Sequence, residues 1–431
     1  MSATTADRAP VPEEVVEHRH VTVVSRKVPV VLTVVTALFA LLLALAPREG
    51  DATFRLATGN DLVALPNVVV PGTTTAWVTV AVMALLTAYA YVRVGARRKV
   101  PGWVSMLFAA VFLVGFLAWA AAGSASDVPA VRVIGGAVLL AVPIAFGALG
   151  GVIGERAGVV NIAIEGQLLA GAFCAAVASS VTDSPWVGLL AAVVAGVLVA
   201  AVLGVFTITY KVNQVIVGVV LNVLVIGLTS FLYSQVLVPN AELNSTTRFA
   251  NVAIPGLSQI PVIGPSLFNQ SVIVYLMYLA VPGVWFAMFR TRWGLRLRAV
   301  GEHPKAADTV GIKVERTRYR AVLVAGAIAG VGGAFYTVVS VSAFGKEMTA
   351  GAGFIALAAV IFGKWDPVKA ALAALLFGFA SNLEGALSIV GAPVPSQFML
   401  MLPYVVTLLA VAGLVGRSRG PAASGEPYVK E

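Results

Sequence analysis

The chain has 431 residues, of which 59% are apolar and only 11% carry a charge, and its mean hydropathy is +0.93. This composition excludes a soluble globular protein and indicates an all-α polytopic membrane protein. The net charge of +9 would suggest nucleic acid as a partner of a soluble chain, but here lysine and arginine cluster between hydrophobic runs. We therefore attribute the charge to membrane topology and expect contact with membrane lipid but not with nucleic acid.

Apolar runs of helix length begin after a polar N-terminal tail, residues 1–27, which we expect to be cytoplasmic and disordered. The first run is longer than the core of a typical signal peptide, so we interpret it as a retained helix. A second polar tail, residues 416–431, is also expected to be cytoplasmic and disordered. The candidate spans between the tails are 28–46, 76–94, 101–122, 132–152, 158–180, 186–208, 213–237, 271–289, 319–343, 353–363, 368–390 and 397–415.

The run 353–363 has only 11 residues. A helix of that length is too short to cross a hydrocarbon core of about 30 Å, so we expect a half-helix or part of a broken segment. Merging such short runs predicts about 10–12 membrane helices.

Basic residues set the orientation of these spans. If each candidate span crosses the membrane once, every basic cluster falls on one side, which is then the cytoplasm, together with both chain termini. The clusters lie at 26–27, 93–99, 210–211, 290–320 and 417–419.

A polar stretch, residues 154–167, interrupts the apolar sequence with Asn161 and Glu165. An ionisable group in a membrane segment costs about 2.5–3.5 kcal/mol on insertion scales, so it normally faces protein or a water-filled path. The spacing of four residues predicts that both side chains lie on one face of a helix. We expect them to line or brace a translocation path.

Residues 158–166 and 353–363 share an apolar pattern flanked by glycine. On the orientation above, the first begins inside and the second outside. An inverted-topology repeat with broken helices would produce this arrangement, and such breaks tend to mark substrate paths. Two ordinary helices flanked by glycine would explain the pattern equally well. The spacings Gly147-x-x-x-Gly151 and Gly326-x-x-x-Gly330 predict helix-packing seams.

The basic stretch 290–318 contains a short predicted helix that Pro304 begins and Gly311 ends. Ala306, Ala307 and Val310 would form a small apolar face on it. Such a helix either docks into a groove of a soluble partner or is a solvated surface turn.

Three motifs, at 155–166, 301–312 and 353–365, resemble those of the integral membrane permeases of bacterial ABC importers. The family transports branched-chain amino acids, simple sugars and nucleosides. The first motif, Glu-Arg-x-Gly-Val-x-Asn-Ile, looks closest to the nucleoside branch, although Ala163 and Gln167 stand where that branch more often has Gly and Met. The resemblance covers roughly residues 132–415 and leaves the helices within 28–131 without a counterpart.

This resemblance implies a permease of a bacterial plasma (inner) membrane that works with cytoplasmic ABC ATPase subunits, a second permease subunit and an extracellular substrate-binding lipoprotein. The chain has no Gly-x-x-x-x-Gly-Lys-[Ser/Thr] phosphate loop, so the ATPase must be a separate subunit. No cofactor, metal or enzymatic chemistry is implied. The loop 290–318 becomes the candidate ATPase-coupling loop, and its motif residues are Gly301, Glu302, Pro304, Ala306, Ala307, Gly311 and Ile312.

The candidate path residues are amides and carboxylates in the spans, because these groups can hydrogen-bond the ribose hydroxyls and base edges of a nucleoside. Interhelical hydrogen bonding within the bundle is the alternative role for each of them. Asn213 and Gln214 carry further amides nearby. The residues that we single out are Asn161, Glu165, Gln167, Asn222, Asn382 and Glu384.

Two other functions remain open at this point. Simple sugars such as ribose, or branched-chain amino acids, are alternative substrates within the same family. A proton-coupled secondary transporter with Glu165 or Glu384 as the proton carrier is the alternative of another class, but it does not explain the basic loop with its short capped helix.

Overall fold

The computed structural model describes residues 26–57, 61, 63, 65–389, 391, 401 and 420–430. Within these residues, ten helices are long and apolar enough to cross a membrane, which confirms a polytopic all-α protein. The expected tail 1–27 and the candidate span 397–415 lie almost entirely outside the described residues. The long helices are α1 (Lys27–Leu45), α2 (Gly72–Gly95), α3 (Gly102–Ala121), α4 (Ala130–Arg156), α5 (Ile164–Thr182), α6 (Pro185–Gly204), α7 (Gln214–Leu232), α9 (Val272–Arg290), α12 (Val314–Phe335) and α14 (Pro367–Ile389).

Four shorter α-helices are also described, and π-helical turns extend α6, α7 and α12 to Thr209, Leu237 and Val341. One, α8 (Ile263–Leu267), lies in the segment expected outside the membrane. The basic loop folds as α10 (Arg292–Glu302) and α11 (Pro304–Thr309). The fourth, α13 (Ala352–Phe362), has 11 residues, as the length of its apolar run predicted.

Two small sheets on the expected outer side were not predicted. The strands β1 (Asp51–Arg55) and β2 (Val68–Pro71) pair antiparallel, and β3 (Val128–Pro129) adds to β1 in parallel, giving the order β2-β1-β3. A second antiparallel pair joins β4 (Asn251–Ala253) to β5 (Asn269–Ser271). Strands of two to five residues are too short to show a recognisable alternation of apolar and polar positions.

The helices pack around two main apolar cores. The larger core surrounds α4, which is buried over most of its length and carries Pro143 inside the helix. The smaller core belongs to α1, α2 and α3, and α14 contributes Leu383, Ala386 and Leu387 to it. The N-terminal helices are therefore attached to the rest of the bundle through α14 and through Val133 at the start of α4.

Both predicted glycine seams are confirmed. A Cβ atom at Gly330 would lie 2.2 Å from the carbonyl oxygen of Ala192 on α6, and one at Gly326 would lie 2.4 Å from that of Gly196. A Cβ at Gly147 would lie 2.9 Å from the Cβ of Ala356 on α13. Only hydrogen fits at these positions, so the backbones approach closely enough for extensive van der Waals contact.

Two of the membrane segments are broken, which is one of the two interpretations that the sequence left open. Residues 157–163 are not helical, so α5 begins at Ile164 rather than at 158. Residues 342–351 are likewise not helical, and the 11-residue α13 follows them. Each break leads directly into the N-terminus of a helix.

The expected disorder of the C-terminal tail is wrong for residues 420–430. This segment forms turns that pack against α10, α11 and α12, and Ala423 N–H donates to the carbonyl of Gly301 at 2.9 Å. Tyr428 is only 9% exposed. One buried aromatic and a few backbone hydrogen bonds hold the segment, and neither is visible in its polar, Gly/Pro/Ser-bearing composition.

Candidate functional site: the junction of the broken helices and the cytoplasmic loop

The N-terminus of α5 starts well inside the bundle rather than at its cytoplasmic end. Its first residue, Ile164, packs beside Gly147 and Gly151 of α4: a Cβ on either glycine would lie 3.0–3.2 Å from the Ile164 side chain. Gly147 is nine residues before the end of α4, which corresponds to about 14 Å along a helix. Residues 157–163 therefore re-enter the bundle from the cytoplasmic end, and we call them the re-entrant segment.

Glu165 joins the two broken helices. One carboxylate oxygen accepts from the hydroxyl of Thr349 at 2.7 Å and from Gly351 N–H at 2.9 Å, and the other accepts from Gly353 N–H at 2.6 Å. The side chain is 5% exposed. It thus lies in the first turn of α5 while capping the N-terminus of α13.

The electrostatics favour a carboxylate at this junction. A helix N-terminus carries a partial positive charge equivalent to about half an elementary charge, and its first N–H groups have no partner within the helix. Two such ends meet here, and Glu165 supplies a negative charge and acceptors between them. Gly353 must be glycine, because a Cβ there would lie 2.4 Å from the Glu165 nitrogen.

Asn161 and Gln167 bond each other beside this junction. Asn161 Nδ2 donates to Gln167 Oε1 at 3.0 Å, and Gln167 Nε2 donates to Asn161 Oδ1 at 3.4 Å. The prediction that Asn161 and Glu165 share one helix face is wrong, because Asn161 precedes the first residue of α5. The break that the glycines permit removes the helical periodicity on which that prediction depended.

Two side chains of α7 hold the re-entrant segment in place. Asn222 accepts from Gly166 N–H at 2.8 Å and donates to the carbonyl of Ile162 at 2.8 Å. Gln214 accepts from Val160 N–H at 2.6 Å and donates to the carbonyl of Gly158 at 3.4 Å. Both side chains are buried and satisfy backbone groups that the break leaves without helical partners. The neighbouring Asn213 instead caps its own helix, α7.

The two candidate path residues on α14 lie elsewhere. Asn382 donates to the carbonyl of Val133 at 2.7 Å, near the start of α4 and therefore towards the expected outer side. Glu384 lies two residues further along and is half-buried. The six path candidates thus divide into four residues at the junction and two at the opposite end of α4.

Sequence inspection did not single out Thr349 or Trp365. The indole N–H of Trp365 donates to a Glu155 carboxylate oxygen at 2.5 Å, and Arg156 Nε donates to the carbonyl of Trp365 at 3.0 Å. These contacts fasten the C-terminal end of α13 to that of α4. Glu155 and Trp365 both lie in motifs, but only the fold brings them together across 210 positions.

The candidate coupling loop has the caps that the sequence predicted. Pro304 occupies the first turn of α11, and Gly311 follows its end with a φ of +83°. Gly301 lies so close to α4 that a Cβ would be 2.1 Å from the carbonyl oxygen of Arg156. Glu302 forms an ion pair with Arg156 at 3.9 Å. The loop is therefore fixed to the C-terminal end of α4, which is the expected cytoplasmic end of the bundle.

The apolar face of α11 is divided rather than continuous. Ala306 and Val310 are exposed, and Val310 is 76% exposed. Ala307 is 3% exposed and packs inward with Val300 and Val314. The expectation of one outward face is thus wrong for Ala307, because the short helix turns that position towards α10 and α12. Ile312 is partly buried beside the same cluster.

Comparison with known proteins agrees with this architecture. Residues 133–411 match the family described as branched-chain amino acid transport system / permease component. The chain is 39% identical to the guanosine ABC transporter permease protein NupQ of Bacillus subtilis (strain 168), over 68% of this chain and 95% of that protein. No solved structure matches the chain.

Two further relatives are informative. The nucleoside ABC transporter permease protein NupC of Lactococcus lactis subsp. cremoris is 37% identical over 69% of this chain and 96% of its own length. A second guanosine permease protein of Bacillus subtilis, NupP, is 28% identical over 62% of this chain and 79% of its own length. These proteins are membrane transport components, and this multi-pass membrane protein belongs to the family of branched-chain amino acid transport system permease components.

Proposed function

We propose that this chain is one of two non-identical permease subunits of an ATP-driven ABC importer that takes up nucleosides across a bacterial plasma membrane. The observation that carries the substrate assignment is the high identity to NupQ and NupC, over nearly their whole lengths. Cytoplasmic ABC ATPase subunits and an extracellular substrate-binding lipoprotein would complete the importer. No catalytic role is assigned to the chain itself.

The sequence identities also indicate which of the two permease subunits the chain corresponds to. The chain is 39% identical to NupQ but 28% identical to NupP, although both are guanosine permease proteins of one organism. If the chain paired with a second copy of itself, we would expect its identities to NupQ and NupP to be similar. We infer a NupQ-like subunit that pairs with a separate NupP-like chain.

The junction supports a path beside the broken helices. Asn161, Glu165, Gln167 and Asn222 would brace its wall, because their polar atoms bond protein groups in this structure. Asn382 and Glu384 would lie nearer the outer opening. Glu165 bonds donors through both carboxylate oxygens, which suits a fixed brace better than a proton carrier that must release its partners.

Uptake in whole cells tests the substrate assignment. Cells that express the chain with its neighbouring ATPase, second permease and lipoprotein genes should accumulate radiolabelled guanosine, and cells that lack this chain should not. Excess unlabelled nucleoside should compete, whereas ribose, glucose or leucine should not. Competition by a sugar or an amino acid alone would reassign the substrate within the family.

A further inference from the structure

The C-terminal segment 420–430, which we call the strap, is seated on the coupling loop. Ala423 N–H donates to the carbonyl of Gly301 at 2.9 Å, and Ala422 N–H donates to the Glu302 carboxylate at 3.2 Å. Tyr428 is 9% exposed and packs in one cluster with Val300, Ala307 and Val314. The inward side of α11 is therefore covered by the end of the chain.

The strap also bonds the re-entrant segment. Gly425 N–H donates to the carbonyl of Gly158 at 3.3 Å, and a Cβ at Gly425 would lie 3.7 Å from the Val160 side chain. Gly158 has a φ of +88°, and a Cβ there would lie 3.1 Å from the carbonyl oxygen of Ala423. The strap thus holds the coupling loop on one side and the break before α5 on the other.

A buried arginine anchors the strap from α12. The Arg318 side chain is 1% exposed, and its Nη1 donates to the carbonyl of Glu426 at 2.9 Å. Its Nη2 lies 2.8 Å from the position that a Gly158 Cβ would occupy. Among the described residues, Nε and Nη2 have no hydrogen-bond partner. Burying a guanidinium with so few partners is costly, so its position beneath the strap indicates a specific contact rather than incidental packing.

We propose that the strap clamps the coupling loop to the re-entrant segment, so that movement of α11 is carried to the N-terminus of α5. The inference rests on the proposed ATP-driven function. The loop is also joined to the bundle by the buried Leu297 of α10, by the close approach of Gly301 to Arg156 and Gly158, and by an ion pair at 3.9 Å that is partly exposed. A partly exposed pair of this kind contributes little rigidity, whereas the strap adds hydrogen bonds on both sides of the joint.

Tyr428→Ala tests the clamp, with Val429→Ala as the matched control because Val429 is 56% exposed. Both variants should insert, melt within a few degrees of the parent and co-purify with the ATPase. In proteoliposomes, Tyr428→Ala should lower the amount of substrate imported per ATP by roughly tenfold, the equivalent of about 1.4 kcal/mol in coupling free energy. Val429→Ala should leave this ratio unchanged.

A second measurement does not depend on transport. A chain that ends at residue 419 should show faster amide hydrogen exchange in residues 157–163, because the strap no longer covers them. An unchanged import ratio in Tyr428→Ala, or unchanged exchange in the truncated chain, would overturn the clamp. Loss of ATPase co-purification in Tyr428→Ala would also overturn it, because the strap would then be part of the docking surface. If the unmodified chain, assembled with its partner subunits, supports neither ATP hydrolysis nor transport, the proposed function fails and the clamp is not the cause.

Discussion

Glu165 is the residue whose environment the structure specifies most closely. Its two oxygens accept from Thr349, Gly351 and Gly353, and it lies where two helix N-termini meet. In Glu165→Leu, these donors would remain buried without acceptors, at a cost of about 1–3 kcal/mol for each. We expect lower thermal stability in detergent and loss of uptake. Glu165→Gln keeps one acceptor but turns an amide N–H₂ towards a donor. The loss of thermal stability and of uptake should therefore be smaller than in Glu165→Leu.

The control for this pair is Asp183→Asn, because Asp183 is an exposed carboxylate at the opposite end of α5 from the junction. Uptake is measured per amount of inserted protein, and stability by thermal unfolding. Full uptake and an unchanged melting temperature in Glu165→Leu would contradict the bracing role.

Ala306 and Ala307 are adjacent residues for which the structure predicts different outcomes. Ala306→Arg places a charge on the exposed side of α11, where the ATPase is expected to dock, and should prevent ATPase co-purification while the permease remains folded. Ala307→Arg forces a charge into the cluster of Val300, Val314 and Tyr428 and should destabilise the permease itself. Co-purification and thermal unfolding of both variants separate these effects. Equal stability of the two variants would contradict the inward orientation of Ala307.

At the scale of elements, the glycine seam between α6 and α12 determines how closely these helices pack. Gly330→Ala would place a methyl group 2.2 Å from the Ala192 carbonyl oxygen, so one helix must move away. Overpacking of this kind typically costs about 1–3 kcal/mol. Gly227→Ala on α7 is the matched control, because a Cβ there meets no atom within 4 Å among the described residues. Thermal unfolding should show a lower midpoint for the first variant only; equal midpoints would exclude a tight seam.

The elements also show how far sequence reasoning extends. Hydropathy and length predicted the membrane helices and the 11-residue α13, and the spacing of glycines predicted the seams, because each of these is a local property of the chain. Glu165 could be singled out as a charge in an apolar run, but its partners lie more than 180 positions away and have no local signal. The small sheets are too short for periodicity to reveal, and the strap is held by a buried tyrosine and by hydrogen bonds to distant residues, which the polar composition of the tail does not reveal. The predicted position of Asn161 was wrong because the break removed the helical periodicity, and that of Ala307 was wrong because α11 turns this residue towards α10 and α12.

At the scale of the whole molecule, the contacts form a continuous connection from the cytoplasmic surface to the broken helices. The coupling loop contacts the end of α4 through Gly301 and Arg156, and the strap joins the same loop to the re-entrant segment. The re-entrant segment leads into α5, where Glu165 binds the N-terminus of α13. Movement of the loop on ATP hydrolysis would therefore reach both breaks together, which is how rigid elements transmit a conformational change.

The measurement that tests the central claim most directly is nucleoside uptake by proteoliposomes that contain this chain with its partner permease, ATPase subunits and lipoprotein. The account predicts uptake when ATP is supplied on the ATPase side, no uptake with a non-hydrolysable analogue, and no effect of dissipating a proton gradient. Uptake that continues without ATP and collapses with the proton gradient would contradict the account and identify a secondary transporter instead.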